Sequence, residues 1–598
     1  MTEVVDTEAL RERYARERDK RLRPDGNDQY VQVTGQFGGY LHDPYTEVVE
    51  REPKRDHVTM AFIGGGFAGL VTAARLKEAG IDDVRIVEKG GGFGGTWYWN
   101  RYPGAQCDTA AMIYMPLLEE TGHMPTELYA HAPEILEHCD RIGKQYGLHD
   151  SALFHTRVTD LEWDAGASRW IVRTDRGDEF TAKFVGMGTG PLHVPKLPGI
   201  PGIAAFAGHS FHTSRWDYAY TGGDPSGAPM DQLADKRVAI IGTGATAVQC
   251  VPHLAQACRE LFVFQRTPSS VDVRGNRPMD TRWFAEVAAP GWQERWQDNF
   301  VANMSAAELP DDDLVNDGWT DLAKRIRGKL TAVRPEPASF EELLADFETA
   351  DHEKMSEIRA RVDAIVQDPA TAQALKAWYR QLCKRPCFHD EFLAAFNLPS
   401  VHLVDTDGGG VGRITADGVV VAGVEYPVDC IIYASGFEVG TEPTRRYGFD
   451  ITGRDGVRLS EYWSGGMRSL HGVHVHGFPN AFGVQLGQGG NFVANVPHNL
   501  SDAAKTVAAI IRHMTEHGFR EVEVSRDAED AWMEQLAPNP VMTSFLAGCT
   551  PGYYNNEGGG PSPHSLLVGY SGGAPAYFRY IDQWRACGEF AGLDFRPL

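Results

Sequence analysis

The sequence lacks the features that would place it in a membrane, on a nucleic acid or in a disulfide-built scaffold. It has no run of about 18 apolar residues, so no bilayer-spanning helix is expected. Its opening MTEVVDTEALRERYARERDKRLR is charged throughout and has no apolar core, so it does not read as a secretory signal. The expected location is the cytoplasm. Positive charge is in short supply: 57 Lys and Arg face 81 Asp and Glu, a formal charge of −24. Nucleic acid and anionic membrane both call for a cationic surface, so neither is expected as a partner. Cysteine is sparse, nine in 598 residues, with no CxxC, which argues against a zinc ribbon or a thioredoxin-like centre and against a disulfide framework. What remains is an ordinary globular balance, 42% hydrophobic and 23% charged, in a chain long enough for several domains.

Two glycine turns stand out. HVTMAFIGGGFAGLVTAARLKEAG runs from an apolar strand through a turn into a helix, and VRIVEKG follows as a second strand. Gly64, Gly66 and Gly69 form GxGxxG, with Ala68 inside it. The first glycine permits the tight turn, the second lets a diphosphate approach the backbone and the third packs helix on strand. Helix N-termini favour anions. Glu88 ends the next strand, where a carboxylate accepts from ribose hydroxyls and repels a 2′-phosphate, so this site suits FAD or NAD.

The second turn lies in RVAIIGTGATAVQCVPHLAQACRELFVFQRTP. Gly242, Gly244 and Ala247 form GxGxxA, enclosing Thr243, Ala245 and Thr246 and followed by Gln249. Its second strand ends in Arg266 and Thr267 instead of an acid, a pair that suits a 2′-phosphate. One site that selects against that phosphate and one that selects for it imply FAD held in the first and NADPH delivering hydride from the second. The fold expected is α/β, with two Rossmann-like dinucleotide-binding domains.

Two longer signatures carry a resemblance. FAGHSFHTSRWD reproduces FxGxxxHxxxWD at Phe206, Gly208, His212, Trp216 and Asp217, and GGTWYWNRYPGAQCD runs from Gly94 to Asp108. With FQRTP, CKRP and an ATG-like segment, they make the chain resemble the Baeyer–Villiger monooxygenases, a family of flavoproteins, from about Val58 to the C-terminus. The resemblance implies oxidation of a ketone by O2 and NADPH to an ester or lactone, through a peroxide formed on the reduced flavin. The polar, charge-rich start reads as an arm at 1–55, and a Trp-, Glu-, Ala- and Leu-rich stretch with few strand signals reads as a helical insertion in the NADP domain at 276–380. FAD-binding segments are then expected at 56–195 and 429–598 and NADP-binding segments at 196–275 and 381–428. By the resemblance, Arg385 is the catalytic arginine, Asp108 the carboxylate that orients it, His212 a residue coupling NADP binding to domain position, and Lys384 a partner of the NADP phosphate. Gly95, Thr96, Trp97, Trp99, Tyr114 and Val158 fall at flavin-contacting positions. A fixed guanidinium fits this chemistry, because it keeps a peroxide deprotonated and stabilises a developing oxyanion.

Some positions depart from the family pattern. Gln106 stands where many members have arginine, Ser435 replaces threonine in the ATG-like segment, and Gly552 stands where relatives acting on smaller ketones carry tryptophan. With the long arm and the glycine-rich GVQLGQGGNFVANVPHN, this resembles the branch acting on bulky macrocyclic or steroid-like ketones. Oxygenation of sulfur or nitrogen is the alternative within this chemistry, and a non-catalytic flavin redox sensor a more distant one. His471, His474 and His476 lack an accompanying ligand, so no metal is expected. Cys383 and Cys387 in CKRPC are expected to be reduced, no α/β-hydrolase is indicated, and the chain is expected to be a monomer or small homo-oligomer.

Overall fold

A computed structural model describes residues 7–305, 308, 310–331, 338–484, 488–489, 495–536, 540–560 and 568–597. The first sheet is built from β1 (His57–Ile63), β2 (Val84–Val87), β3 (Val158–Asp164), β4 (Arg169–Thr174) and β5 (Glu179–Met187), completed by Ile451–Thr452 and Ala481–Gly483. β1 lies between β2 and β5 and is parallel to both. Burial on both faces explains its nearly continuous apolar sequence. The helix after β1 (Phe67–Glu78) packs its Leu70, Val71 and Leu76 into one core with Ile510, Ile511 and Met514 of the helix Val496–His517.

The second sheet holds β6 (His209–His212), β7 (Arg237–Ile241), β8 (Glu260–Gln265), β9 (Val401–Asp405) and β10 (Cys430–Tyr433), in the order β9-β8-β7-β10-β6, all parallel. This moves one expected boundary. β10 pairs with β7 and β6, so the second domain extends past residue 428. The return to the first sheet comes after that strand, because pairing with distant partners, not local sequence, decides which sheet it joins.

Between β8 and β9 the described residues of 276–380 form helices: Thr281–Val287, Trp292–Met304, Gly318–Leu330, Phe340–Ile365 and Pro369–Leu375. The fourth starts at a capping box, in which Ser339 Oγ accepts from the Glu342 amide and the Glu342 carboxylate accepts from the Ser339 amide. The arm lies against this insertion. Its helix Thr7–Asp19 pairs Arg11 with Glu348 and sets Arg13 3.3 Å above the Trp378 ring. Tyr30–Val31 then pairs antiparallel with Leu197–Pro198.

One expectation about cysteine is overturned. Cys383 is joined to Cys549 in a disulfide with Cα atoms 5.2 Å apart, while Cys387 stays free and buried. Spacing could not reveal the pair, because its members are 166 residues apart. Within GVQLGQGGNFVANVPHN, positions 485–487 and 490–494 lie outside the described residues.

Candidate active site

The first turn is shaped by contacts that exclude side chains. Gly64 has φ +111°, and a Cβ there would lie 2.5 Å from Gly188 O. A Cβ on Gly69 would lie 2.1 Å from Gly64 O, so the third glycine is where helix and turn touch. Glu88 is buried, and its two oxygens accept from the amides of Gly65 at 2.6 Å and Gly90 at 2.7 Å. Burial pushes its pKa up, and these two donors oppose the shift.

One cleft is lined by Gly64, Gly66, Ala68, Glu88, Gly95, Thr96, Trp97, Trp99, Tyr114 and Val158. Trp97 donates to the Tyr114 hydroxyl at 3.1 Å, and the Arg215 guanidinium lies 3.8 Å over the Trp99 ring. Arg446, which the sequence did not single out, also lines the cleft. It is buried, and its Nε and Nη2 have no partner among the described residues. Unpaired buried donors are costly, and a diphosphate-bearing dinucleotide would satisfy them. The glycine turn without side chains, the fixed carboxylate and these donors fit FAD.

At the second turn Gly242 has φ +119°, and a Cβ would lie 2.4 Å from Ala434 O. Nothing stands within 4 Å of a Cβ built on Gly244, so the backbone at the start of helix Ala245–Ala257 is open to a ligand. Thr243 Oγ1 donates to Thr267 O at 2.7 Å, and the buried Thr267 hydroxyl has no partner among the described residues. Gln249 faces the flavin motif. It donates to Gln106 O at 2.8 Å and accepts from the Tyr102 hydroxyl at 2.9 Å. Arg266 Nη1 donates to Gln29 at 2.5 Å and Nη2 to Glu557 at 3.2 Å. Burial lowers the Lys384 pKa to about 8, helped by the Arg266 charge. The open turn, free hydroxyl and paired cations fit NADP(H).

Arg385 and Asp108 form a two-pronged ion pair, Nη1–Oδ2 2.7 Å and Nη2–Oδ1 2.6 Å. Asp108 is 3% exposed and Arg385 34%, so the carboxylate is sealed while part of the guanidinium stays open. Burial works against the charge on Arg385, but Asp108 outweighs it and holds the pKa well above the ordinary value. Trp319, from the helical insertion, donates to Asp108 O at 2.7 Å, and its ring lies 5.5 Å from the Arg385 guanidinium carbon.

No hydrogen bond links His212 to this pair. Its Nδ1 accepts from the Ser214 amide at 3.2 Å, and its Nε2 donates to Gly436 O at 3.1 Å. Burial lowers its pKa to about 3, so the ring is a neutral pin between β6 and the loop after β10. Gln106 is reached by Arg274, whose guanidinium donates to it, so an arginine arrives there from another segment. Ser435 donates to Lys196 O at 2.6 Å.

The three histidines of 471–476 have separate partners: His471 faces Trp532 and Trp584, His474 faces Phe482, and His476 Nδ1 bonds Val524 O. Gly569–Gly573 reads GYSGG and so matches the hydrolase GxSxG. However, Ser571 sits in a turn before helix Ala574–Cys587 and not between strand and helix.

Comparison with known proteins shows the family. Residues 63–128 match the NAD(P)-binding Rossmann-like domain. A neopentalenolactone D synthase of Streptomyces avermitilis is 50% identical, over 99% of this chain and 100% of its own. A Baeyer–Villiger monooxygenase of Streptomyces coelicolor is 49% identical, over 96% of this chain and 95% of its own. The solved polycyclic ketone monooxygenase of the fungus Thermothelomyces thermophila is 38% identical, covers 99% of both chains and superposes with a TM-score of 0.91. The chain therefore belongs to the Baeyer–Villiger monooxygenases. It is an FAD-dependent enzyme that uses NADPH and O2 to oxidise ketones to esters or lactones. Among the described residues no helix is long and apolar enough to cross a membrane.

Proposed function

We propose that the substrates are bulky, polycyclic ketones, and that Arg385 is the catalytic cation that converts them. Bound FAD supplies the activated oxygen and NADPH the electrons. The chain's own part is electrostatic and positional. Asp108 and Trp319 fix Arg385 so that its open part meets the oxygen on which negative charge develops, with no side-chain reorganisation at the moment of reaction. The two-pronged Arg385–Asp108 pair is the observation that carries this reading.

Glu88 receives the flavin's ribose, and the aromatic wall of Trp97, Trp99 and Tyr114 keeps water from its ring. Arg266, Thr267 and Lys384 receive the 2′-phosphate, and His212 positions the two domains without exchanging a proton. Gly552 supports a large substrate: it leaves the space beside the Lys384 side chain unfilled, where a Cβ would stand 3.3 Å from Lys384 Nζ. The names of two relatives, a polycyclic ketone monooxygenase and a lactone synthase, point the same way.

The reaction belongs in the cytoplasm, where NADPH is regenerated, and the working form is a monomer or a small homo-oligomer. A series of ketones from cyclohexanone to fused tricyclic substrates tests the reading, with NADPH consumption and ester formation measured together. Ring-expanded products from the large ketones are expected. Faster turnover of cyclohexanone, or a product oxidised only at sulfur in a thioether competitor, would refute it.

A further inference from the structure

The N-terminal arm and the C-terminal loop meet at Arg266, one of the residues assigned to the 2′-phosphate. Arg21 Nε donates to the carbonyl of Arg266 at 3.1 Å, Gln29 takes one end of its guanidinium, and Glu557 takes the other. The surroundings are rich in cations. Lys196 Nζ donates to Asn27 at 2.8 Å and lies 3.9 Å above the Tyr30 ring. Lys384 and Lys196 both feel the charges of Arg266 and Glu557.

Glu557 is held in an unusual way. Its side chain is 4% exposed, and it and Asn556 both have left-handed backbones, φ +53° and +54°. Two successive residues with side chains in that region are strained, so the surrounding contacts must impose the conformation. One of them is the hydrogen bond from Asn27 of the arm to Asn556. Asn555 adds another, accepting from the amides of Gly552 and Gly558 at 3.0 and 3.1 Å.

An arginine fork binds phosphate best with its terminal nitrogens free to make parallel bonds. Here Nη2 already serves a carboxylate, so a phosphate must share that nitrogen or move Glu557 aside. We propose that Glu557 sets cofactor specificity and release, as a built-in anion that competes with the 2′-phosphate of NADP(H) for Arg266. Gln29 is the neutral positioning residue that keeps the guanidinium in place. Glu557 thus restrains affinity for the phosphorylated cofactor, leaves NAD(H) untouched and lets the oxidised cofactor leave. The proposal rests on Arg266 as the 2′-phosphate residue.

Calorimetric titration of the FAD-loaded enzyme with NADP+, NAD+, 2′,5′-ADP and ADP tests it without turnover. In Glu557→Gln, NADP+ and 2′,5′-ADP should bind about tenfold more tightly, with NAD+ and ADP unchanged, because a like charge has been removed. Gln29→Glu places a second carboxylate on the same guanidinium and should weaken the phosphorylated pair by about tenfold. It also keeps the test open should Glu557→Gln fail to retain flavin. Unchanged or weaker NADP+ binding in Glu557→Gln overturns the proposal, as does Gln29→Glu without selective loss. Should the unmodified enzyme bind 2′,5′-ADP no better than ADP, the assignment of Arg266 itself is wrong, a failure distinguishable from that of Glu557.

Discussion

The two nucleotide turns begin alike and end differently. The first closes on itself. Its glycines, its acid and its aromatic wall come mostly from one stretch between β1 and Tyr114, and Glu88 is fastened to the turn by two backbone amides. The second is open at Gly244. Its key cation is held by residues 29 and 557, and its second cation comes from residue 384. A cofactor that stays for many cycles can have its diphosphate turn, acid and aromatic wall on one stretch, with Val158 and Arg446 closing the cleft from elsewhere. A cofactor that enters and leaves each cycle is better served by pieces that can part.

The largest effect expected separates both turns from the chemistry between them. Arg385→Ala should leave FAD bound and reducible by NADPH, while ester formation falls by about 10²–10³. Stopped-flow reduction and product analysis on the same sample check this, and ester formed at the normal rate would show that the turns suffice. Arg266→Ala should break the asymmetry itself. Loss of a charge-assisted bond to phosphate raises KM for NADPH by about 10–100-fold and leaves NADH nearly unaffected.

Glu88→Ala strips the acceptor from two buried amides and the partner from the ribose. Flavin retention after gel filtration should fall by about tenfold, with NADP+ binding unchanged. The smallest effect is one of pH. Below about 8, Lys384 is charged and adds to the pull on the phosphate, while above it the proton is lost. NADP+ affinity should therefore decline by a few-fold as the pH rises through that value, and Lys384→Met should flatten the profile.

Local features were legible in the sequence. Both turns, the acid at Glu88 and the cation at Arg266 sit at fixed offsets from a strand, so a short window reveals them. The pairing of Arg385 with Asp108 was legible only through the family resemblance, since 277 residues separate them. Trp319, Arg274, Gln29 and Glu557 escaped notice because each acts across folded space from a segment with no motif of its own. β10 was put on the wrong side of a boundary for the same reason, and His212 is bonded to Ser214 and Gly436, with no hydrogen bond to Arg385 or Asp108.

The bridge between Cys383 and Cys549 has a consequence for the chain as a polymer. It ties the residue just before Lys384 and Arg385 to the loop that carries Gly552 and Glu557. The intervening segment, including β9, β10 and the long helix Val496–His517, becomes a covalent ring. A protease that nicks this ring once leaves a single species on a non-reducing gel and two fragments after thiol treatment.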